Sequence, residues 1–295
     1  MINNLPTNIN GYIEGYYGQL LNWSERNTIL KKLYNCGFNS YLYCPKEDLK
    51  HRQDWRREYT KRWTSSLKKF CMKARQNKLN IFIGMSPGLD FNFQNYDNDF
   101  KILLKKLKLF RSNGATHIVL MFDDISPKPN FKSTISKTEG TLHAELANSL
   151  SEALNEIIFV VPRVYSDELI EKKCTYLMDF GKTLKNDIPI FYCGKKIISE
   201  TNKNSELKIL KKFTSNRVIF WDNLFANDYC PKRIFLGPYF GRPFFKDTMI
   251  NPTGLIQTDL FLLDLINLTL KTKNSHDGLS CTLQKYKVPK EFNIV

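Results

Sequence analysis

Two adjacent carboxylates, Asp123 and Asp124, close the apolar run His117-Ile118-Val119-Leu120-Met121-Phe122. A run of that length and composition reads as a fully buried strand. Acids at a strand end stand on a rigid platform, and a pair of acids is what glycosidic bond cleavage asks for. An Asp-Asp pair taken alone reads equally as a loop start or helix N-cap, where aspartate satisfies free backbone N–H groups. The rest of the chain decides between these readings.

Short apolar, strand-like runs alternate with amphipathic helical segments from end to end. The strands fall near 12–17, 40–44, 81–85, 117–122, 157–161, 190–193, 218–221 and 234–236. Helical periodicity fills 24–35, 60–77, 98–112, 138–154, 166–179, 205–213 and 256–272. Strand–helix alternation predicts a parallel sheet, and about eight strands in this length predict an α/β (β/α)₈ TIM-type barrel. An open doubly wound sheet is the alternative, but no glycine-rich phosphate turn follows the first strand. Residues 224–233, between the seventh and eighth strands, are short for a parallel crossover, so the eighth strand could be displaced. With no repeat, low-complexity tract or linker, residues 1–295 are expected to form one domain, its core near 10–272 and a tail at 273–295.

Hydrophobic residues make up 42 % of the 295 and charged residues 25 %, the balance of an ordinary globular protein with a large core. No run of apolar residues is long enough for a membrane span, and the start Met1-Ile2-Asn3-Asn4-Leu5-Pro6 lacks a basic and then apolar leader. Seven cysteines at unrelated spacings resemble neither a zinc site nor a redox pair, and read as reduced, mostly buried thiols of a cytoplasmic protein. The net charge of +15 comes from lysines in segments such as 61–70 and 101–108, where apolar residues at helical spacing consign the charges to solvent. Nucleic-acid binding is therefore an alternative without a motif to support it.

If the barrel reading holds, chemistry sits where the strands end. There the chain places Glu14-Gly15-Tyr16-Tyr17-Gly18, Tyr43-Cys44-Pro45-Lys46-Glu47-Asp48, Ser86-Pro87-Gly88-Leu89-Asp90, Asp123-Asp124, Pro162-Arg163-Val164-Tyr165 and Trp221-Asp222-Asn223, followed by Asn227-Asp228-Tyr229. Carboxylates, amides and a lysine can bind a ring of hydroxyls, and tryptophan and tyrosine offer flat walls to a sugar face. The histidines His51, His117, His143 and His276 are scattered, without a cluster for a transition metal.

These motifs, with Leu236-Gly237-Pro238-Tyr239 and Asn251-Pro252, recur in order over residues 10 to 255 and resemble glycoside hydrolase family 84, the O-GlcNAcase and hyaluronoglucosaminidase-like β-N-acetylglucosaminidase domain. The resemblance implies a retaining β-N-acetylglucosaminidase acting on a GlcNAc-containing glycan or glycosylated protein without a cofactor. It implies that Asp123 polarises the substrate acetamido N–H and that Asp124 is general acid, then base. Lys46 and the Gly15 carbonyl would hold a ring hydroxyl, Asn223 the acetamido region, and Asp228 and Asn251 the distal hydroxyls. Trp221 and Tyr165 would line the acetyl pocket; around Tyr165 the chain keeps only the proline and tyrosine of the family's pattern. Larger members add further domains, including a helical one after the barrel; residues 271–295 are expected to hold only the end of the last barrel helix and a short tail.

Neighbouring residues on a strand project to opposite faces, so Asp123 and Asp124 are poorly placed to flank a bond in the ordinary two-carboxylate way. Attack by the substrate's own acetamido oxygen removes that difficulty. Two like charges so close should part their pKa values, leaving one acid and one anion. A catalytically silent carbohydrate-binding barrel is the competing class, which would not need the acid.

Overall fold

In the computed structural model, which describes residues 5–127, 137–171, 173–242 and 247–288, eight parallel strands close into a barrel in sequence order. They are β1 (Ile9–Glu14), β2 (Ser40–Tyr43), β3 (Asn80–Met85), β4 (His117–Met121), β5 (Phe159–Val161), β6 (Ile190–Tyr192), β7 (Val218–Asp222) and β8 (Asp247–Ile250). Closure joins β8 to β1 in the register Ile9 with Asp247 and Gly11 with Met249.

Side chains alternate across the barrel wall, as the pleat dictates. Ile13, Leu42, Phe82, Val119, Met121, Phe159, Val161, Phe191, Ile219, Trp221 and Met249 fill the interior. Their neighbours Tyr12, Tyr41, Tyr43, Ile81, Ile118, Leu120, Val160, Ile190 and Phe220 face the helices and build the outer core.

The surrounding helices are α1 (Trp23–Asn35), α2 (Lys61–Gln76), α3 (Tyr96–Ser112), α4 (Glu139–Leu154), α5 (Thr175–Thr183), α6 (Ile256–Thr272) and α7 (Ser275–Lys285). The start of α1 is a capping box: Asn22 accepts from the Glu25 N–H and Glu25 accepts from the Asn22 N–H. On α2, Leu67, Phe70, Cys71 and Ala74 make the buried stripe expected of period 3.6. Among the described residues no helix is long and apolar enough to cross a membrane.

Five sequence expectations need correction. The eighth strand is Asp247–Ile250, not 234–236: Ile234 and Phe235 are 45 % and 40 % exposed in the long β7–β8 connection, where they imitate a strand only in composition. The helix expected at 166–179 is a 3₁₀ turn at Asp167–Leu169 followed by α5, and that at 205–213 is two 3₁₀ turns. Lys106 is not on the solvent face of α3; it shares the inward stripe with Leu103, Leu107 and Phe110 and donates to the carbonyls of Lys50, Trp55 and Arg57. Finally, the expected tail contains α7, docked on α6 through Asp264, which accepts from Lys285 (2.8 Å) and Tyr286 (2.7 Å). Residues 289–295 of that tail lie outside the described residues.

Candidate active site

The pleat explains how the site is assembled. Inward-facing Ile13, Cys44, Met121, Trp221 and Met249 are each followed two residues later by Gly15, Lys46, Asp123, Asn223 and Asn251. Five of the expected site residues are thus the next inward positions beyond five strand ends. They converge at the C-terminal mouth, the end where barrels do chemistry. With Asp124, Tyr165, Trp221 and Asp228 they line one cavity of about 570 Å³, so all nine expected residues meet there.

Asp123 and Asp124 do not follow the strand geometry assumed from sequence. β4 stops at Met121, and Asp124 takes the left-handed conformation, φ 55°. That backbone is uncommon for a residue with a Cβ, though aspartate tolerates it better than most. The turn carries Asp124 back toward the cavity that Asp123 also lines. Both carboxylates reach one cation: Lys46 Nζ contacts Asp123 Oδ2 and lies 3.2 Å from Asp124 Oδ2. Asp123 is 5 % exposed, and its second oxygen, Oδ1, is buried with no hydrogen-bond partner among the described residues.

Asp124 is fixed from three further sides. Tyr165 OH donates to Oδ1 at 2.7 Å, Tyr17 OH donates to Oδ2 at 2.9 Å, and Arg52 Nη2 donates to the Asp124 carbonyl at 2.6 Å. Burial by itself would raise the Asp124 pKa; the Lys46 ammonium and the tyrosine hydrogen bonds outweigh it and hold the carboxyl below its ordinary value. The direction favours the carboxylate form of Asp124, and the general-acid role expected for it requires the proton. The carboxylate is favoured because the shared cation removes the like-charge repulsion that would have forced a proton onto the pair. Burial opposes the Lys46 charge, but Asp123 and Asp124 overcome it and keep the ammonium well above its usual range. Burial pushes the Tyr17 hydroxyl up to about 12, so it is a donor at neutral pH.

The opposite wall is an amide relay. Trp221 Nε1 donates to Asn223 Oδ1 at 2.9 Å, and Asn251 Nδ2 donates to the same oxygen at 3.0 Å. Asn223 Nδ2 donates to the Ile197 carbonyl at 2.9 Å, and Gly15 N donates to Asn251 Oδ1 at 3.2 Å. Asp228, half-buried, accepts from Tyr17 N at 3.0 Å. A Cβ at Gly15 would lie 2.7 Å from Trp221 Cζ2, so glycine is what lets the indole lie against β1. Behind this wall Asp222 is wholly buried and paired with Arg242, whose Nε stands at 2.8 Å, while other nitrogens of that guanidinium donate to the carbonyls of Ser199, Glu200 and Phe240.

Sequence reasoning missed five contributors. Tyr17 belongs to a quoted motif but was given no role, and Arg52 carries no local signal because it binds main chain. Cys193 faces the cavity beside Asn223, with burial, then Asp124 and Asp123, raising its thiol far above the usual range. Lys196 and Ile197 line the cavity from the β6–β7 connection, in a stretch before the helix expected at 205–213 to which no role was given. Among the described residues no group of three or more His, Cys, Asp or Glu could hold a metal ion.

A closed parallel barrel with acids, amides and aromatic walls at its C-terminal mouth has the build of a glycoside hydrolase catalytic barrel. Residues 10–251 match the beta-N-acetylglucosaminidase family. Over 256 residues the chain is 30 % identical to protein O-GlcNAcase of Rattus norvegicus and, equally, of Mus musculus. The alignment covers 82 % of this chain and 28 % of each relative, so the chain spans less than a third of their length. Among solved structures, a mutant of Thermobaculum terrenum O-GlcNAc hydrolase superposes with a TM-score of 0.85 at 23 % identity, over 94 % of this chain and 63 % of that one. CpGH84B superposes with a TM-score of 0.81 at 22 % identity, over 96 % and 52 %. The chain belongs to the β-N-acetylglucosaminidases of glycoside hydrolase family 84.

Proposed function

We propose that this barrel, as a single domain, hydrolyses terminal β-linked N-acetylglucosamine with retention of configuration, using the substrate's acetamido oxygen as nucleophile. The observation that carries the reading is Asp123: one oxygen on Lys46, the other buried without a partner among the described residues, on a residue that lines the cavity. A buried acceptor is satisfied by an incoming N–H donor, and an acetamido group supplies one.

The acetamido oxygen attacks the anomeric carbon as the bond to the leaving oxygen breaks. Asp123 stabilises the charge growing on the acetamido nitrogen, and Asp124 gives its proton to the leaving oxygen. Asp124 then takes a proton from the water that opens the cyclised intermediate. For the first step it must be protonated, whereas Lys46 and the two tyrosine hydroxyls favour the carboxylate. Lys46 turning to a ring hydroxyl, and exclusion of water by the bound sugar, both favour the proton. The Gly15 carbonyl shares that hydroxyl; Asp228 and Asn251 take the distal hydroxyls; Asn223 steadies the acetamido group between Trp221 and Tyr165.

The substrate is a GlcNAc-bearing glycan or glycosylated protein, and seven free thiols suit a reducing, cytoplasmic setting. The test is hydrolysis of a chromogenic β-GlcNAc substrate beside its β-glucoside. Turnover of the first and not the second supports the reading. Binding of GlcNAc without turnover of any glycoside would favour the silent carbohydrate-binding barrel.

A further inference from the structure

We infer that Arg52 is a positioning residue for the Asp123-Asp124 turn, acting through the main chain of the turn rather than on the substrate; the inference rests on the activity proposed above. Arg52 is 7 % exposed and is not among the residues lining the cavity. Its guanidinium meets no carboxylate within ion-pair distance among the described residues. Its side-chain partners are instead two carbonyls, Asp124 O at 2.6 Å and Asp123 O at 3.5 Å. A buried guanidinium keeps its charge and needs acceptors, and here the acceptors are the peptide oxygens of the two acids themselves.

The geometry gives that contact a purpose. The left-handed backbone at Asp124 turns its carboxylate toward the cavity, and nothing intrinsic to an aspartate selects that conformation over extended backbone. A donor locked onto the Asp124 carbonyl does select it. Arg52 is itself held rigidly. Ser86 N donates to the carbonyl of neighbouring His51, the His51 ring lies 3.1 Å from the Gly84 carbonyl, and Lys106 ties down Lys50, Trp55 and Arg57 on either side. The segment that brings Lys46 to the carboxylates thus also brings the cation that sets their backbone.

A residue that aims the general acid affects protonation of the leaving group more than it affects binding. The test compares the wild type, Arg52→Lys and Arg52→Gln on β-GlcNAc substrates with an activated aryl and a poor alkyl leaving group. Arg52→Gln should slow the alkyl substrate at least about tenfold more than the aryl one, because acid assistance matters most for poor leaving groups. Arg52→Lys, which keeps one cationic donor, should recover part of the difference. In an Asp124→Asn background, Arg52→Gln should cost less than about twofold further, since residues that act as a unit are not additive. Equal losses on both substrates, or full additivity with Asp124→Asn, would overturn the assignment. If Arg52→Gln fails to fold, Arg52→Lys carries the same comparison. An inactive wild type would overturn the proposed activity as well, whereas an active wild type with no leaving-group difference removes the Arg52 role alone.

Discussion

Lys46 is shared by Asp123 and Asp124, its ammonium touching one oxygen of each carboxylate from a side chain only 2 % exposed. Removing it leaves two like charges side by side, Asp123 buried and Asp124 partly exposed. Lys46→Met should destabilise the fold by about 3 kcal/mol at neutral pH, the usual cost of breaking a buried pair. The sign with pH follows from Asp124. Its folded pKa is held below the unfolded value, so in the wild type the interaction stabilises the fold above the ordinary carboxylate range and is lost as pH falls through the lower folded value. Without Lys46 the carboxyl rises instead and welcomes a proton. Denaturant unfolding of both proteins at neutral and mildly acid pH should therefore show the deficit shrinking toward acid; a deficit independent of pH would refute the shared-cation account.

Tyr17 and Tyr165 each spend a hydroxyl on Asp124. Phenylalanine at either position should cost about 1 kcal/mol in kcat/KM, several-fold in rate. Each also removes a donor that favours the anion, so the limb of the pH–rate profile belonging to Asp124 should move to higher pH. A shift to lower pH would mean that the limb belongs to another group.

Gly15→Ala tests the wall. The new Cβ would press on Trp221 and on Ile13 Cγ2, 2.9 Å away, with the indole forced into the cavity. KM should rise more than kcat falls, because the acids are untouched. An unchanged KM would show that Trp221 does not shape the pocket.

The buried pair Asp222 and Arg242 joins the end of β7 to the β6–β7 connection, whose Ile197 carbonyl holds Asn223. Arg242→Met should lower stability by about 3–5 kcal/mol by orphaning Asp222, and an Asp222→Leu, Arg242→Met double variant should regain much of it. Chemical denaturation midpoints decide this, and a double variant no better than the single would reject the orphaned-charge explanation.

Much of the site was legible because its residues extend strands that advertise themselves. Cys44 to Lys46 and Trp221 to Asn223 continue an inward phase that apolar runs establish locally. Strand eight was misplaced because Asp247-Thr248-Met249-Ile250 is short and begins with two polar residues, while Ile234-Phe235-Leu236 has the composition of a strand without the partners. The roles of Arg52 and Lys106 were invisible for a different reason. Both donate to backbone carbonyls distant in sequence, and a carbonyl leaves no mark on the identity of the residue that carries it. Backbone turning at Asp124 was equally hidden, and with it the common aim of the two acids.

The central claim, that the acetamido group is the nucleophile steadied by Asp123, is tested most directly by the rate on aryl β-GlcNAc substrates whose acetyl methyl carries none, one, two or three fluorines. Each fluorine weakens the carbonyl oxygen as a nucleophile, so kcat/KM should fall progressively along the series. A rate indifferent to fluorine, or a covalent aspartyl–sugar adduct trapped during turnover, would contradict it.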